Sequence, residues 1–229
     1  KAQQREKDSD QQDKALAELL KAKDRLEEIL RQLREEERGL MLAALESRFR
    51  EMLARHLAVY NGTVALGQIP EERREDRHRA RAIDLARQES EIGLMAEKAL
   101  TLLKDEGSSV SFPEAVEQMR DDLMTVTRRL ERADVGELTQ ALEKDILESL
   151  EELILSLQKE MEKQQQQQGQ QQQQQQGQPQ NQALVDELAE LKMLRALQYR
   201  VNRRTRQLGR LIDGEQASDP DLINQLQGL

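Results

Sequence analysis

Few side chains in this chain have the type and spacing that chemistry needs. Cysteine is absent, which removes thiolate nucleophiles, thiolate metal ligands and disulfides. The only histidines are His56 and His78. Helical bundles build carboxylate-bridged metal centres from two Glu-x-x-His strings and further inward glutamates. This chain holds one such string, Glu75-Asp76-Arg77-His78, inside a run of mixed charge, and His56 follows Glu51 by five residues and makes no second copy. A metal-binding bundle is therefore the remote reading, and no metal or other cofactor is expected. His56 falls on an apolar stripe, either as a pH-sensitive contact or as a boundary ring packed beside Leu53 and Tyr60; the second is the expectation. The serines have no evident base, and the scattered glycines form no phosphate-cradling loop. No catalytic residue, small-molecule substrate or enzymatic activity is expected.

The strongest candidate for a ligand surface is basic. Lys192, Arg195, Arg200, Arg203, Arg204, Arg206 and Arg210 occur with no acid between the first and the last. At about 100° per residue the arginines spread over one half of a helix, and Leu194, Leu197, Val201, Leu208 and Ile212 gather on the other. Such a helix can lie on anionic lipid or on nucleic acid. It can equally pair with acid. The segment upstream carries Glu143, Asp145, Glu148, Glu151, Glu152, Glu160 and Glu162 against Lys144, Lys159 and Lys163. A linker of about 19 residues reaches roughly 25 Å, enough for the basic helix to fold back. Tyr199 is the only aromatic among the arginines, so base stacking is weakly supported. Pairing with protein, within the chain or with an acidic partner, is the expectation; nucleic acid or anionic lipid is the alternative.

The elements that must position these residues are helical. Charged residues make up 34 % of the chain against a usual level of about 25 %, and aromatics only 2 %. Leu must then supply the buried area that aromatics usually bring. The net charge of -9 repels nucleic acid and anionic lipid outside a local basic patch. The expected fold is all-α: an elongated antiparallel helical bundle or coiled coil with a disordered Gln-rich linker.

Residues 1–13 lack a stripe and read as a flexible lead-in. A helix over 14–61 carries Leu19, Leu26, Leu33 and Leu40 every seven residues, then Leu45, Phe49, Met52 and His56 on one face. Asn61-Gly62 reads as its stop. A helix over 71–106 follows. The third, over 112–133, opens on a Ser111/Glu114 capping box and carries Val116, Met119, Leu123, Val126 and Leu130 in alternating steps of three and four, a coiled-coil seam. The fourth, over 136–163, carries Leu150, Leu153 and Leu157. Residues 164–181, with the runs Gln164–Gln168 and Gln170–Gln176, have no apolar side chain to bury and read as the linker. The basic helix is expected over 182–212, and a tail with a short helix over 213–229.

The Gln-rich stretch, the string Ala183-Leu-Val-Asp-Glu-Leu-Ala-Glu-Leu-Lys-Met-Leu-Arg195 and then Tyr199-Arg-Val-Asn-Arg-Arg-Thr-Arg206 resemble the end of an uncharacterised group of bacterial exported helical proteins. The likeness covers about residues 140–212. It implies a periplasmic or cell-envelope location and carries over no catalytic residue. The chain begins at Lys1 rather than Met, so any export signal or anchor is expected to be missing from it. The function expected is a non-enzymatic scaffold that associates with itself or binds a partner helix.

Overall fold

The computed structural model describes residues 2–171, 183–210 and 223. Its order is α1 (Ala2–Gly67), a 3-10 turn (Glu71–Arg73), α2 (Asp76–Glu106), α3 (Ser111–Glu131), α4 (Glu137–Gln171) and α5 (Glu187–Arg210). The chain is all-α, with no strand among the described residues.

Helices α1 to α4 form an antiparallel four-helix ring in which α1 touches α2 and α4, and α3 touches the same two. Short connections force each helix to run back along its predecessor. The register of α1 on α4 is read from Gln164 Nε2 on Glu35 O, Gln158 Nε2 on Glu46 Oε1, and Thr63 Oγ1 on Glu143 Oε1. Each helix buries one seam. That of α1 is Leu42, Leu45, Phe49, Met52, His56, Val59, Thr63 and Leu66; that of α2 is Ala82, Leu85, Glu89, Ile92, Ala96, Ala99 and Leu103. Their strict alternation of three and four is left-handed bundle packing. Val116, Met119, Leu123, Val126 and Leu130 of α3, and Leu150, Leu153 and Leu157 of α4, are all fully buried.

Several boundaries differ from the sequence expectation, each for a physical reason. Helix α1 begins at Ala2, not at 14, and runs through Asn61-Gly62 to Gly67. Gly62 does not stop it: a Cβ there would meet Leu85 Cδ2 at 2.8 Å, so the glycine lets α1 and α2 approach closely. The stop comes at Pro70, after Gln68 and Ile69 donate to Val64 O and Leu66 O. Helix α2 starts at Asp76 rather than 71 and ends at Glu106, where Gly107, with a φ of 73°, supplies the left-handed cap. Helix α3 is capped by neither Ser111 nor Glu114. Ser109 Oγ accepts the Phe112 N–H, and Ser111 N–H is taken by Glu190 of α5 at 2.9 Å. Helix α4 extends through the first glutamines to Gln171, consistent with the fair helix propensity of Gln. The rest of the expected linker, 172–181, lies outside the described residues, as does the tail helix apart from Ile223. Helix α5 starts at Glu187, where Asp186 Oδ1 accepts the Ala189 N–H at 2.7 Å.

The first half of α1 stands apart. Gln164 lies against Glu35, and α4 ends two turns later at Gln171. Residues before about 28 therefore have no neighbouring helix among the described residues, an arm of roughly 40 Å at 1.5 Å per residue. The first buried residue of α1 is Leu42.

Candidate functional site

Three arrangements of polar or apolar groups are candidates for function: a charged layer in the bundle core, the basic helix with its acidic bed, and the leucine stripe of the arm.

The core layer is built by seam positions that hold polar residues. His56 and Thr63 of α1, Glu89 of α2 and Glu143 of α4 are each 0 % exposed. Nδ1 of His56 lies 2.9 Å from Glu89 Oε2, and Nε2 lies 3.0 Å from Glu143 O. A carbonyl only accepts, so Nε2 carries a proton and the second proton is shared between Nδ1 and Glu89. Burial works against the charged ring, but the Glu89 carboxylate and its hydrogen bond outweigh it and raise the His56 pKa. The Glu143 carboxyl is pushed up to about 7 by burial, against the hydrogen bond from Thr63 at 2.6 Å. Glu89 Oε1 and Glu143 Oε2 are buried without a hydrogen-bond partner among the described residues. A His–carboxylate pair resembles a general base, yet no substrate atom reaches a ring that is wholly enclosed. The layer ties three helices together through the core.

The sequence reading placed His56 at a boundary beside Leu53 and Tyr60; it is instead in the core, clamped by Glu89. Sequence reasoning missed Glu89 and Thr63, and set Glu143 among the acids available to the basic helix, whereas its carboxyl lies in the core on Thr63. The signal was there, since all three occupy the three-four positions that neighbouring Leu, Ile and Val residues mark as inward.

The Glu75-x-x-His78 string is a helix start. His78 Nδ1 accepts the Glu75 N–H at 2.9 Å, which satisfies one of the free donors at the start of α2. Among the described residues no group of three or more His, Asp or Glu side chains is placed to hold a metal ion.

The basic helix packs in the groove between α3 and α4, parallel to α3 and antiparallel to α4. Arg204 Nη2 donates to Asp122 Oδ1 at 2.7 Å, and Arg203 forks onto Asp145 and Glu148. Asp122, Asp145 and Arg200 are buried. Burial raises both carboxyls against the pull of Arg204 on one and Arg203 on the other, and burial lowers the Arg200 guanidinium. At the other end of α5 the Lys163 ammonium pairs with Asp186, and Leu184 O accepts from Arg38 Nη2 at 3.0 Å. Glu190 reaches Ser109 and Ser111; burial pushes its carboxyl up, but the donors at the start of α3 hold it below the usual range. A cleft of about 820 Å³ between α4 and α5 is lined by Glu148, Glu152, Tyr199, Arg200, Arg203 and Arg206, among others. Of the seven cations singled out, Arg200, Arg203 and Arg204 face acids of the bundle, while Lys192, Arg195 and Arg206 are exposed. Arg195 lies 5.5 Å from the Tyr199 ring centroid. The Arg210 side chain lies outside the described residues.

The third candidate is apolar. Leu16, Leu19, Leu26, Leu30 and Leu33 are 44–68 % exposed. Leu19, Leu26 and Leu33, expected as seam contacts, are therefore not enclosed by any helix among the described residues. Leu40 is 74 % exposed and Leu42 is 0 % exposed. Two residues span about 200° on a helix, so the arm's stripe and the bundle's seam lie on different faces of α1.

Comparison with protein-family models, with curated proteins and with solved structures finds no match. Among the described residues no helix is long and apolar enough to cross a membrane.

Proposed function

We propose that this chain is a non-enzymatic helical scaffold that acts through protein–protein contact, with the arm of α1 as its interaction surface. The observation that carries this reading is the exposed leucine stripe of residues 16–33, which follows a seven-residue repeat and lies on a different face of α1 from the bundle's seam. Five leucines about half exposed on one face of a solvated helix are costly in water, and covering each recovers on the order of 1–2 kcal/mol. A monomer rarely maintains such a patch unless it is used. The bundle supports the scaffold role by holding one end of the arm rigidly.

The position of the basic helix supports the protein-pairing reading over an anionic surface. Arg203 and Arg204 are engaged by Glu148, Asp145 and Asp122, so a phosphate would have to displace carboxylates already in place. Lys192, Arg195 and Arg206 remain exposed and give the lipid or nucleic-acid alternative a smaller surface. The resemblance of residues 140–212 to exported bacterial proteins supports a cell-envelope setting for the scaffold.

The test compares the intact chain with a Leu19→Asp, Leu26→Asp, Leu33→Asp variant in crosslinking from the native host. Loss in the variant of every partner, whether itself or another protein, is the expected result. Identical partners for both chains, or none for either, would overturn the reading.

A further inference from the structure

We infer that the occupant of the arm's stripe is a second copy of this chain, laid antiparallel along residues 16–33. This rests on the scaffold reading above and names its partner.

The stripe follows heptad spacing: Leu16, Lys23 and Leu30 take one seam position, and Leu19, Leu26 and Leu33 the other. Closed symmetric pairs need a patch that is complementary to itself. In the antiparallel register Leu16 lies opposite Leu33 of the second copy, Leu19 opposite Leu30, and Lys23 opposite Leu26. Every layer then holds at least one leucine, and no like charges meet in the seam. Beside the seam Ala22 faces Ile29 of the other copy, a small side chain against a large one. The Lys23 ammonium leans onto its own Glu27, 3.5 Å away, which leaves its methylenes to cover Leu26 of the other chain.

The parallel in-register pairing is disfavoured by charge. It would set Lys23 on Lys23, and Glu37 on Glu37 one heptad beyond Leu30, in the middle of an apolar seam. Like charges at seam positions are a recognised device for rejecting a pairing.

The area fits a weak, concentration-dependent pair. Leu16, Leu19, Leu20, Leu26, Ile29, Leu30 and Leu33 are between 44 and 68 % exposed. At about 1–2 kcal/mol recovered per half-exposed side chain, or roughly 40–80 Å² each, the two copies cover about 560–1,120 Å² of apolar surface, below the range of about 1,200–2,000 Å² of stable interfaces and in the range of weak, concentration-dependent pairs. Among the described residues none of α1 before Leu42 is buried, and α4 runs beside the arm only from about residue 28 onward.

Sedimentation of the full chain tests the mass, and engineered cysteines test the direction, since the chain has no cysteine of its own. The wild type should sediment as a dimer at tens of micromolar. A Leu26→Asp, Leu30→Asp variant should dissociate at least about 100-fold more readily, as the loss of two seam anchors per copy implies. Its thermal midpoint and helical content at equal monomer concentration report that the bundle still folds. Mild oxidation should join L19C protein to L30C protein when the two are mixed, and leave L19C alone largely unjoined. Rapid joining of L19C to itself would overturn the antiparallel pairing. A wild-type monomer at 100 µM would overturn the second copy as occupant. Such a monomer that still captures a different protein through the stripe would leave the scaffold reading standing, and one that captures nothing would end both.

Discussion

The residue that governs most is His56, because it must be buried with a carboxylate and a carbonyl as its only partners. Replacing it with Leu strands Glu89 as an unpaired buried charge and should cost about 3–5 kcal/mol. The double change His56→Leu, Glu89→Leu should recover most of that loss, since removing both partners removes the stranded group. Urea denaturation of the two variants checks this, and equal destabilisation in both would contradict it. The same layer sets a pH dependence. Glu143 titrates at about 7 when folded and near 4.5 unfolded, so between those values the folded state holds the extra proton and stability falls as pH rises. His56, whose pKa is also raised, contributes stability below about 6.5 that is lost as pH climbs through its folded value. Both push the same way. The urea midpoint should drop between pH 5 and pH 8 by the equivalent of roughly 3 kcal/mol from Glu143 alone, and Glu143→Gln should flatten that part of the profile.

Ala133 poses a smaller residue-scale question. It has a φ of 62° in the turn after α3. Ala133 N–H donates to Leu130 O and Asp134 N–H to Arg129 O, the Schellman pattern that glycine usually closes. Ala133→Gly should therefore stabilise the chain by about 1 kcal/mol, read as a rise in thermal midpoint. A fall would show that the packing of the Ala133 methyl outweighs the backbone strain.

At the scale of elements, what fixes α5 is charge held in a half-dry groove. Arg204→Met removes the partner of Asp122 while keeping most of the apolar contact. It should loosen the helix, and amide exchange over residues 187–210 should accelerate by at least about tenfold if 1–2 kcal/mol of docking is lost. Unchanged exchange would mean that Leu184, Val185, Met193 and Leu197, all buried, hold the helix without the ion pair. The crossing of α1 and α2 depends instead on the absence of a side chain. Gly62→Ala gains about 1 kcal/mol of helix propensity but forces a methyl against Leu85, itself only 1 % exposed, at a cost of about 1–3 kcal/mol. A net loss of stability is expected.

For the whole molecule, bundle and arm are separable. No residue of α1 before Leu42 is buried among those described, so removing residues 2–33 should shift the thermal midpoint by no more than a degree or two while abolishing association. A large fall in the midpoint would mean that the arm stabilises the bundle through contacts within the chain.

Taken by itself, the sequence determined that the chain is all-α, because its apolar residues recur at three and four, its aromatics are few and no proline interrupts those striped segments beyond their first turn. It likewise determined the seams of α3 and α4, where Val116 to Leu130 and Leu150 to Leu157 follow that spacing without a polar interruption. Periodicity reports which residues share a face but not what the face meets. Only the tertiary structure decided that Leu33 and Leu42 belong to different faces, one solvated and one enclosed, since the change of phase between Leu40 and Leu42 acquires meaning once α4 is seen to occupy one side. Only it decided that Gly62 is a close approach rather than a stop, that Glu75 and His78 start a helix, and that Arg203 and Arg204 answer Asp145 and Asp122. Those outcomes depend on atoms brought together from distant parts of the chain, and charge pairing across such distances leaves no mark on local spacing.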